Sequence, residues 1–183
     1  LTNMASNKVS NDFNNVKRSH FISVWGPFMK KYKCDYICEL GVEKGQNFLE
    51  LIAHGPKLAV AVDSWIEDGV SSRNDGHYSQ AELDNLYENF KNLVCDMPFV
   101  QIIRDYTFNA VKEFKDNYFD FVYIDADHST EACYNDIVNW YPKVKPGKFL
   151  VGHDYRRRFG VVSAVNQFIE ENTGALRLAL EKN

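Results

Sequence analysis

The stretch Tyr36–Gly45 reads YICELGVEKG and joins a short apolar run to a turn that contains two glycines. YICEL is typical of a buried strand, because apolar residues fill most of the run. The segment QNFLELIAH at 46–54 has the apolar spacing of a short amphipathic helix. The stretch therefore predicts a strand, a glycine turn and a helix, which together begin a βαβ unit.

The glycine turn also predicts what kind of ligand it can hold. Gly41 permits a tight turn and close approach of a ligand, and Gly45 permits the helix to pack near the strand. The pattern ExGxxxG is neither GxGxxG nor a Walker A loop, so it does not predict a phosphate cradle. Glu39 at the strand end suits a ligand with a cationic amino group. The alternative is a glycine turn with an incidental acid.

Strand and helix patterns alternate along the chain, which predicts an α/β fold with a doubly wound, mostly parallel, Rossmann-like sheet. Ser79 and Glu82 form a capping box at the start of the third helix, and KPGK at 145–148 predicts a turn before the fifth strand. Residues 16–183 are predicted to form one domain, and the Asn/Ser-rich segment 1–15 a flexible arm. The strands are predicted at 36–40, 57–63, 99–104, 119–125, 149–153 and 175–182, and the helices at 16–32, 46–54, 79–94, 107–114, within 129–141 and at 160–172.

Composition and charge argue against several classes of function. The 183 residues carry a net charge of −4, which gives no electrostatic footprint for nucleic acid and no polybasic patch for a membrane surface. No signal peptide and no apolar run of about 18 residues is present. The four cysteines lack CxxC or zinc-finger spacing, which favours buried thiols in a reducing cytoplasm. We therefore expect a cytoplasmic protein that acts on a small molecule.

Ligands of such sheets bind outside the carboxyl ends of the strands, and acids follow several of the predicted strands. Asp63 ends the second strand 22 residues after Gly41, where an acid can accept hydrogen bonds from ribose hydroxyls. Trp65 can either stack on an adenine or pack beneath the long polar loop 64–78. Asp105 follows the third strand and can either accept from an adenine amino group or serve as a helix-entry acid.

The fourth and fifth strands end in the densest set of polar side chains. Asp125, Asp127 and His128 follow the fourth strand in IDADHS, and His153 and Asp154 follow the fifth in GHDY. A packed core gives no reason for such a set at the point where an apolar strand opens. Together the acid-tipped strands predict a ligand site at this edge of the sheet.

These motifs resemble the class I S-adenosylmethionine-dependent methyltransferases over residues 20–183. The resemblance rests on ELGVEKG, AVDSW, and the long stretch FDFVYIDADHSTEACYNDI with KPGKFLVGHDY. The last stretch resembles the small-molecule O-methyltransferases, including the macrolide- and aminocoumarin-type sugar enzymes, and more distantly the catechol and caffeoyl-CoA enzymes. The resemblance implies in-line transfer of a methyl group from S-adenosylmethionine to a hydroxyl of a small-molecule acceptor.

The resemblance also implies roles for matching residues. The cofactor would be held by Glu39 near its amino group, by Gly41 and Gly45 around its methionine part, by Asp63 at the ribose, and by Asp105 and Tyr106 at the adenine. Asp125 would also be among the cofactor-binding residues. A divalent metal such as Mg²⁺ or Mn²⁺ would be bound by Asp125, His153 and Asp154. His153 departs from the acidic pattern of the relatives, and its nitrogen suits Mn²⁺, Fe²⁺ or Zn²⁺ better than Mg²⁺. Either Asp127 or His128 would be the base.

Two further expectations concern assembly and alternative functions. The sequence ends after the predicted sixth strand, whereas class I methyltransferases usually have a seventh, so a homo-oligomer that covers an exposed sheet edge is one expectation. The segment YRRRFG at 155–160 and the loop 65–78 are expected to border the acceptor pocket. The three arginines can either hold a phosphate or carboxylate or, as the favoured alternative, form a solvated basic turn. The alternatives to an enzyme of this class are a non-catalytic cofactor-binding module and, on a similar sheet, an NAD-dependent oxidoreductase, which would need the missing GxGxxG.

Overall fold

The computed structural model of the protein describes residues 25–67, 78–156 and 160–172. The predicted arm 1–15, the start of the first helix, most of the loop 64–78, the centre of YRRRFG and the predicted sixth strand lie outside these residues.

Five strands and six helices alternate along the described chain, as the sequence predicts. The strands are β1 (Tyr36–Leu40), β2 (Leu58–Asp63), β3 (Val100–Arg104), β4 (Phe119–Ile124) and β5 (Val144–Gly152). The helices are α1 (Trp25–Tyr32), α2 (Gln46–Ile52), α3 (Gln80–Leu93), α4 (Thr107–Ala110), α5 (Thr130–Trp140) and α6 (Val161–Glu171). Short 3₁₀ turns follow α4 at Val111–Glu113 and α5 at Tyr141–Lys143.

The five strands form one parallel sheet in the order β3-β2-β1-β4-β5. The strand order reverses between β1 and β4, so the switch point of the sheet lies at their carboxyl ends. This arrangement confirms the predicted α/β, Rossmann-like fold. It also places the turn after β1 directly beside the polar segment that follows β4.

Two apolar layers cover the two faces of the sheet. The side chains of α1, α2 and α3 pack on one face with Phe48 and Phe90 among the buried residues, and α5 and α6 pack on the other with Trp140 and Phe168. Every residue of β4 is buried, which explains its nearly continuous apolar sequence. The capping box of α3 is confirmed, because the Ser79 N–H donates to Glu82 Oε2 at 2.8 Å and the Ser79 side chain accepts from the Glu82 N–H.

The fifth strand begins earlier than the sequence predicts. It starts at Val144, and the predicted turn 145–148 is an irregular part of the strand that contains Gly147 at a φ of +75°. The pairing passes from Phe119 with Val144 to Phe121 with Phe149, so the extra residues bulge out between two paired positions. In this segment Lys145 Nζ lies 2.9 Å from Asp120 Oδ1, and Lys148 Nζ donates to Tyr32 O at 2.7 Å.

Asp120 is a buried carboxylate at the amino-terminal edge of the sheet. Its Oδ2 accepts hydrogen bonds from the N–H groups of Asp35 and Tyr36, both at 3.0 Å. Burial alone raises its pKa, but Lys145, the Tyr36 N–H and Lys148 outweigh burial and hold the pKa below its usual value. The acid therefore ties the start of β1 to β4 and β5, far from the carboxyl ends where ligands bind.

Candidate active site

The turn after β1 lies directly against the end of β4. Gly41 has a φ of +82°, and a Cβ placed on it would lie 2.1 Å from the backbone oxygen of Asp125. The Gly41 N–H donates to Val62 O at 2.9 Å, and the Asp125 N–H donates to Leu40 O at 2.8 Å. Only glycine fits here, because both the left-handed backbone and the close approach of Asp125 exclude a side chain.

Gly45 serves a different contact from the one that the sequence predicts. It has a φ of +80°, and a Cβ on it would lie 2.4 Å from Cδ2 of Phe90. The side chain that requires a glycine at position 45 is therefore Phe90 on α3. The prediction that the glycine serves close packing of α2 on a strand is wrong. The contact fixes the start of α2 against α3, two helices on the same face of the sheet.

Asp63 at the end of β2 holds the glycine turn in place. Its Oδ2 accepts from the N–H groups of Val42 and Glu43, both at 2.8 Å, and its Oδ1 accepts from the Trp65 N–H at 2.9 Å. Burial raises the pKa of Asp63, while these three donors lower it. Each carboxylate oxygen has about two acceptor sites, so Oδ1 keeps one for a ligand hydroxyl. The structure thus adds a turn-building role to the ribose role that is predicted for Asp63.

Trp65 supports the packing interpretation rather than the stacking one. The residue is 1% exposed, and its ring lies 5.2 Å from the Tyr87 ring and 5.8 Å from the Phe90 ring. Its indole N–H donates to Glu43 O at 3.0 Å. The ring therefore lies beneath the glycine turn and buttresses it, and a direct contact with adenine would require it to leave this position.

Glu39 carries a buried oxygen without a partner. The residue is 2% exposed, and its Oε1 accepts from Asn47 Nδ2 at 2.8 Å, whereas Oε2 has no hydrogen-bond partner. Desolvation raises the pKa of Glu39 to about 8, with smaller contributions from Asp125 and Asp63. Buried polar atoms are rarely left unpaired, so this oxygen fits a missing donor such as the ammonium group of a bound amino acid.

Asp105 and Tyr106 follow β3 as the sequence predicts. Asp105 Oδ1 accepts from the Tyr106 N–H at 2.6 Å and from Asn109 Nδ2 at 3.0 Å, and these bonds lower the pKa of Asp105. The acid thus acts at least as a helix-entry residue for α4. The Tyr106 ring stacks on Phe108, whose side chain is more than half exposed.

A second polar group lies at the ends of β4 and β5. His128 Nε2 lies 3.3 Å from Asp125 Oδ1 and 3.4 Å from Asp154 Oδ2. His153 Nδ1 lies 3.8 Å and 3.4 Å from the same two oxygens. We call these four residues the Asp–His cluster. The structure brings together the three predicted metal ligands, and it adds His128, which the sequence suggested only as a base.

The remaining polar residues of this region lie around the Asp–His cluster. Asp127 is exposed, and its Oδ1 accepts from the Ser129 N–H at 2.6 Å. Arg156 Nε lies 3.8 Å from Asp154 Oδ1, so one arginine of YRRRFG borders the cluster. That this segment borders the acceptor pocket stays a prediction. Gly160 packs its backbone on Thr130 and joins α6 to the start of α5 behind the cluster.

Two further residues make contacts around the site that the sequence does not predict. Asn47 is the partner of Glu39, but nothing in the helix pattern distinguishes it from a surface asparagine. Tyr78 donates to Glu43 Oε1 at 2.7 Å and accepts from Lys44 Nζ at 3.0 Å, which ties the glycine turn to the segment before α3. The sequence indicates Tyr78 only by location, as the last residue of the loop 65–78 that is expected to border the acceptor pocket.

Sheet order, glycine turn and acids at the strand ends fit a class I S-adenosylmethionine-dependent methyltransferase, and the comparison with known families shows this class. Residues 38–155, well over half of the chain, match the model of the methyltransferase domain family. The chain belongs to this family. Among curated proteins no relative matches.

Solved structures share the fold at low sequence identity. The O-methyltransferase NovP has a TM-score of 0.64 and 16% identity, over 88% of this chain and 74% of NovP. A provisionally assigned O-methyltransferase from Klebsiella pneumoniae has a TM-score of 0.57 and 14% identity, over 92% and 77%. An O-methyltransferase from Bacillus cereus, solved in complex with S-adenosylhomocysteine (SAH), has a TM-score of 0.52 and 14% identity, over 91% and 74%. In the part of the chain that the structure describes, no helix has the length and apolar character needed to cross a membrane.

Proposed function

We propose that this chain is an O-methyltransferase that transfers the methyl group of S-adenosylmethionine to a hydroxyl of a small molecule. The observation that carries the proposal is the convergence of two polar sites at one edge of the sheet: Glu39, Gly41 and Asp63 on one side, and the Asp–His cluster on the other. The named relatives NovP and the Bacillus cereus enzyme are O-methyltransferases with the same fold, which supports the choice of oxygen as the acceptor atom.

The residues around the glycine turn fit the cofactor. Glu39 would accept from the amino group through its unpaired Oε2, and Asp63 would accept a ribose hydroxyl through the free site of Oδ1. When bound, S-adenosylmethionine supplies a methyl group that is already activated on a sulfonium ion. The chain therefore has to align the acceptor, exclude water and take up one proton.

Two side chains are close enough to the acceptor side to take that proton. His128 Nε2 is directed between Asp125 and Asp154, which holds the imidazole within the cluster. Asp127 is exposed and lies in the same segment, next to His128 in the sequence. We assign the base to Asp127 and a positioning role within the cluster to His128. A carboxylate is a weak base toward an alcohol, so this assignment requires an acceptor hydroxyl made more acidic by its surroundings.

The test is formation of SAH from S-adenosylmethionine by the full chain, with a panel of sugars, catechols and hydroxylated acids, in the presence of several divalent metals. We expect SAH formation that depends on one class of acceptor, with a product heavier by one methyl group. Asp127→Asn and His128→Ala should lower turnover and leave SAH affinity near that of the wild type. Glu131→Gln, an exposed acid in the first turn of α5, is the matched control and should change neither.

Two outcomes would favour the alternatives. A folded protein that binds SAH but turns over no acceptor of the panel would favour a non-catalytic cofactor-binding module. A protein that binds NADH and not SAH would favour an oxidoreductase and overturn the proposal.

A further inference from the structure

The Asp–His cluster has a donor set that differs from the all-oxygen set preferred by Mg²⁺. Two of the five histidines of the chain direct a ring nitrogen at the same pair of carboxylate oxygens. One donor atom each from Asp125, His128 and Asp154 lie within 4.8 Å of one another. Imidazole is a favourable ligand for Mn²⁺, Fe²⁺, Co²⁺ and Zn²⁺, whereas Mg²⁺ prefers carboxylate, carbonyl and water oxygens.

The separations between the donor atoms also favour a transition-metal ion over Mg²⁺. Metal–ligand bonds of about 2.0–2.1 Å in tetrahedral geometry place neighbouring donors about 3.3–3.4 Å apart. Octahedral Mg²⁺ with bonds of similar length places neighbouring donors only about 2.9 Å apart. His128 Nε2 lies 3.3 Å and 3.4 Å from its two carboxylate oxygens, and His153 Nδ1 lies 3.4 Å from Asp154 Oδ2. These three separations match the wider spacing, whereas His153 Nδ1 lies 3.8 Å from Asp125 Oδ1 and therefore flanks the three-residue group.

We propose that Asp125, His128 and Asp154, flanked by His153, bind a nitrogen-accepting divalent transition-metal ion in preference to Mg²⁺. The metal site deepens the proposed function, because it lies where the acceptor hydroxyl is expected, but its occupancy can be measured without cofactor or acceptor. His128 is then a metal ligand, and Asp127 outside the cluster remains available as the base. A Lewis acid at this position also supplies the increased acidity of the hydroxyl that a carboxylate base requires.

A metal-free explanation of the same contacts has to be distinguished. A protonated His128 between two carboxylates would form ion pairs at these distances without any metal. The positive guanidinium of Arg156 near Asp154 is compatible with either arrangement. The two explanations differ in one measurable respect, because only the first predicts tight binding of an added ion that depends on imidazole.

The experiment is a metal titration of the full chain after treatment with a chelator. Co²⁺ is followed by its visible absorption, which reports coordination geometry and nitrogen ligation, and Zn²⁺, Mn²⁺ and Mg²⁺ are followed by competition with a chromophoric chelator or by calorimetry. We expect Zn²⁺ to bind on the order of 100-fold more tightly than Mg²⁺, and Co²⁺ to give the intense spectrum of a site with fewer than six ligands. Equal or tighter binding of Mg²⁺, or no binding of any ion, would overturn the proposal.

Variants assign the ligands. His128→Ala should weaken Zn²⁺ binding at least about tenfold and reduce the Co²⁺ absorption. Asp127→Asn, two residues after Asp125 but outside the cluster, is the matched control and should keep both. Circular dichroism and SAH binding show whether each variant is folded. Unchanged Zn²⁺ affinity in folded His128→Ala would refute the role of His128 as a metal ligand. Failure of the wild type to bind SAH would count against the proposed function and would not affect the conclusion about the metal.

Discussion

Glu39→Gln should make the protein more stable while it weakens binding of the cofactor. Glu39 is 2% exposed, and desolvation raises its pKa to about 8 from a usual value of 4.5. A folded-state pKa above the unfolded one means that this group's contribution to stability is full below pH 4.5 and is lost as the pH rises toward 8. Gln keeps the acceptor for Asn47 Nδ2 and cannot ionise, so it removes this loss.

The size of the effect follows from the two pKa values. One pKa unit corresponds to about 1.4 kcal/mol. The raised pKa of Glu39 therefore lowers the free energy of unfolding of the wild type by about 1 kcal/mol at pH 5 and, as an upper limit, by about 3 kcal/mol at pH 7. The free energy of unfolding of Glu39→Gln should therefore exceed that of the wild type by an amount that grows with pH. Urea denaturation followed by tryptophan fluorescence at pH 5, 6, 7 and 8 measures the difference.

A matched control and a binding assay complete the test. Glu50→Gln changes an exposed glutamate on α2, the helix that carries Asn47, and should alter stability by less than about 0.5 kcal/mol. Glu39→Gln should also lose at least about tenfold in SAH affinity, because the amino group loses its ionic partner. Destabilisation at pH 7, or a difference that does not grow with pH, would refute the desolvation argument. Unchanged SAH affinity would refute the role of Glu39 in binding the amino group.

Three further substitutions probe the turn and the sheet. Gly41→Ala should lower the free energy of unfolding by more than about 3 kcal/mol and abolish SAH binding, because a Cβ would lie 2.1 Å from Asp125 O. Gly55→Ala is the control, since Gly55 has a similar φ of +74° but no atom within 4 Å of an added Cβ. It should cost only about 1–2 kcal/mol in the same urea assay. Asp63→Asn keeps only one acceptor oxygen, whereas the three N–H groups that bond to Asp63 need two. The substitution should therefore lower stability by about 2–4 kcal/mol and weaken SAH binding. Wild-type stability in this variant would contradict the turn-building role. Asp120→Asn should lower the free energy of unfolding by about 3 kcal/mol at pH 7. Because the pKa of Asp120 is lowered in the folded state, the difference in stability between this variant and the wild type should shrink as the pH falls below about 4. A constant difference between pH 5 and pH 3 would contradict this.

The elements of the sheet could be predicted because each is specified by a local pattern. YICEL, LAVAVD and FDFVYI are apolar runs of strand length between turns and amphipathic helices, and the capping box of α3 marks its own start. The start of β5 could not be predicted in this way. Pro146 and Gly147 have the composition of a turn, and the contacts of this segment are with residues distant in the sequence: Lys145 with Asp120, and Lys148 with Tyr32 O.

The positions of the site residues could be predicted better than their contacts. Strand ends in a parallel sheet meet at one edge, so Asp63, Asp125 and Asp154 were expected there. Whether Trp65 stacks on a ligand or packs depends on Phe90, which is 25 residues away on α3, and no local pattern contains that information. Likewise His128 and His153 face the same carboxylates only because β4 and β5 pair in one particular register.

The central claim is that the edge beside the glycine turn binds S-adenosylmethionine and not a dinucleotide. Isothermal titration of the folded wild type with SAH and, separately, with NADH tests this most directly, and Asp63→Ala serves as the site-specific variant. We expect binding of SAH alone, weakened strongly in Asp63→Ala. Failure of the folded wild type to bind SAH, or binding of NADH in its place, would contradict it.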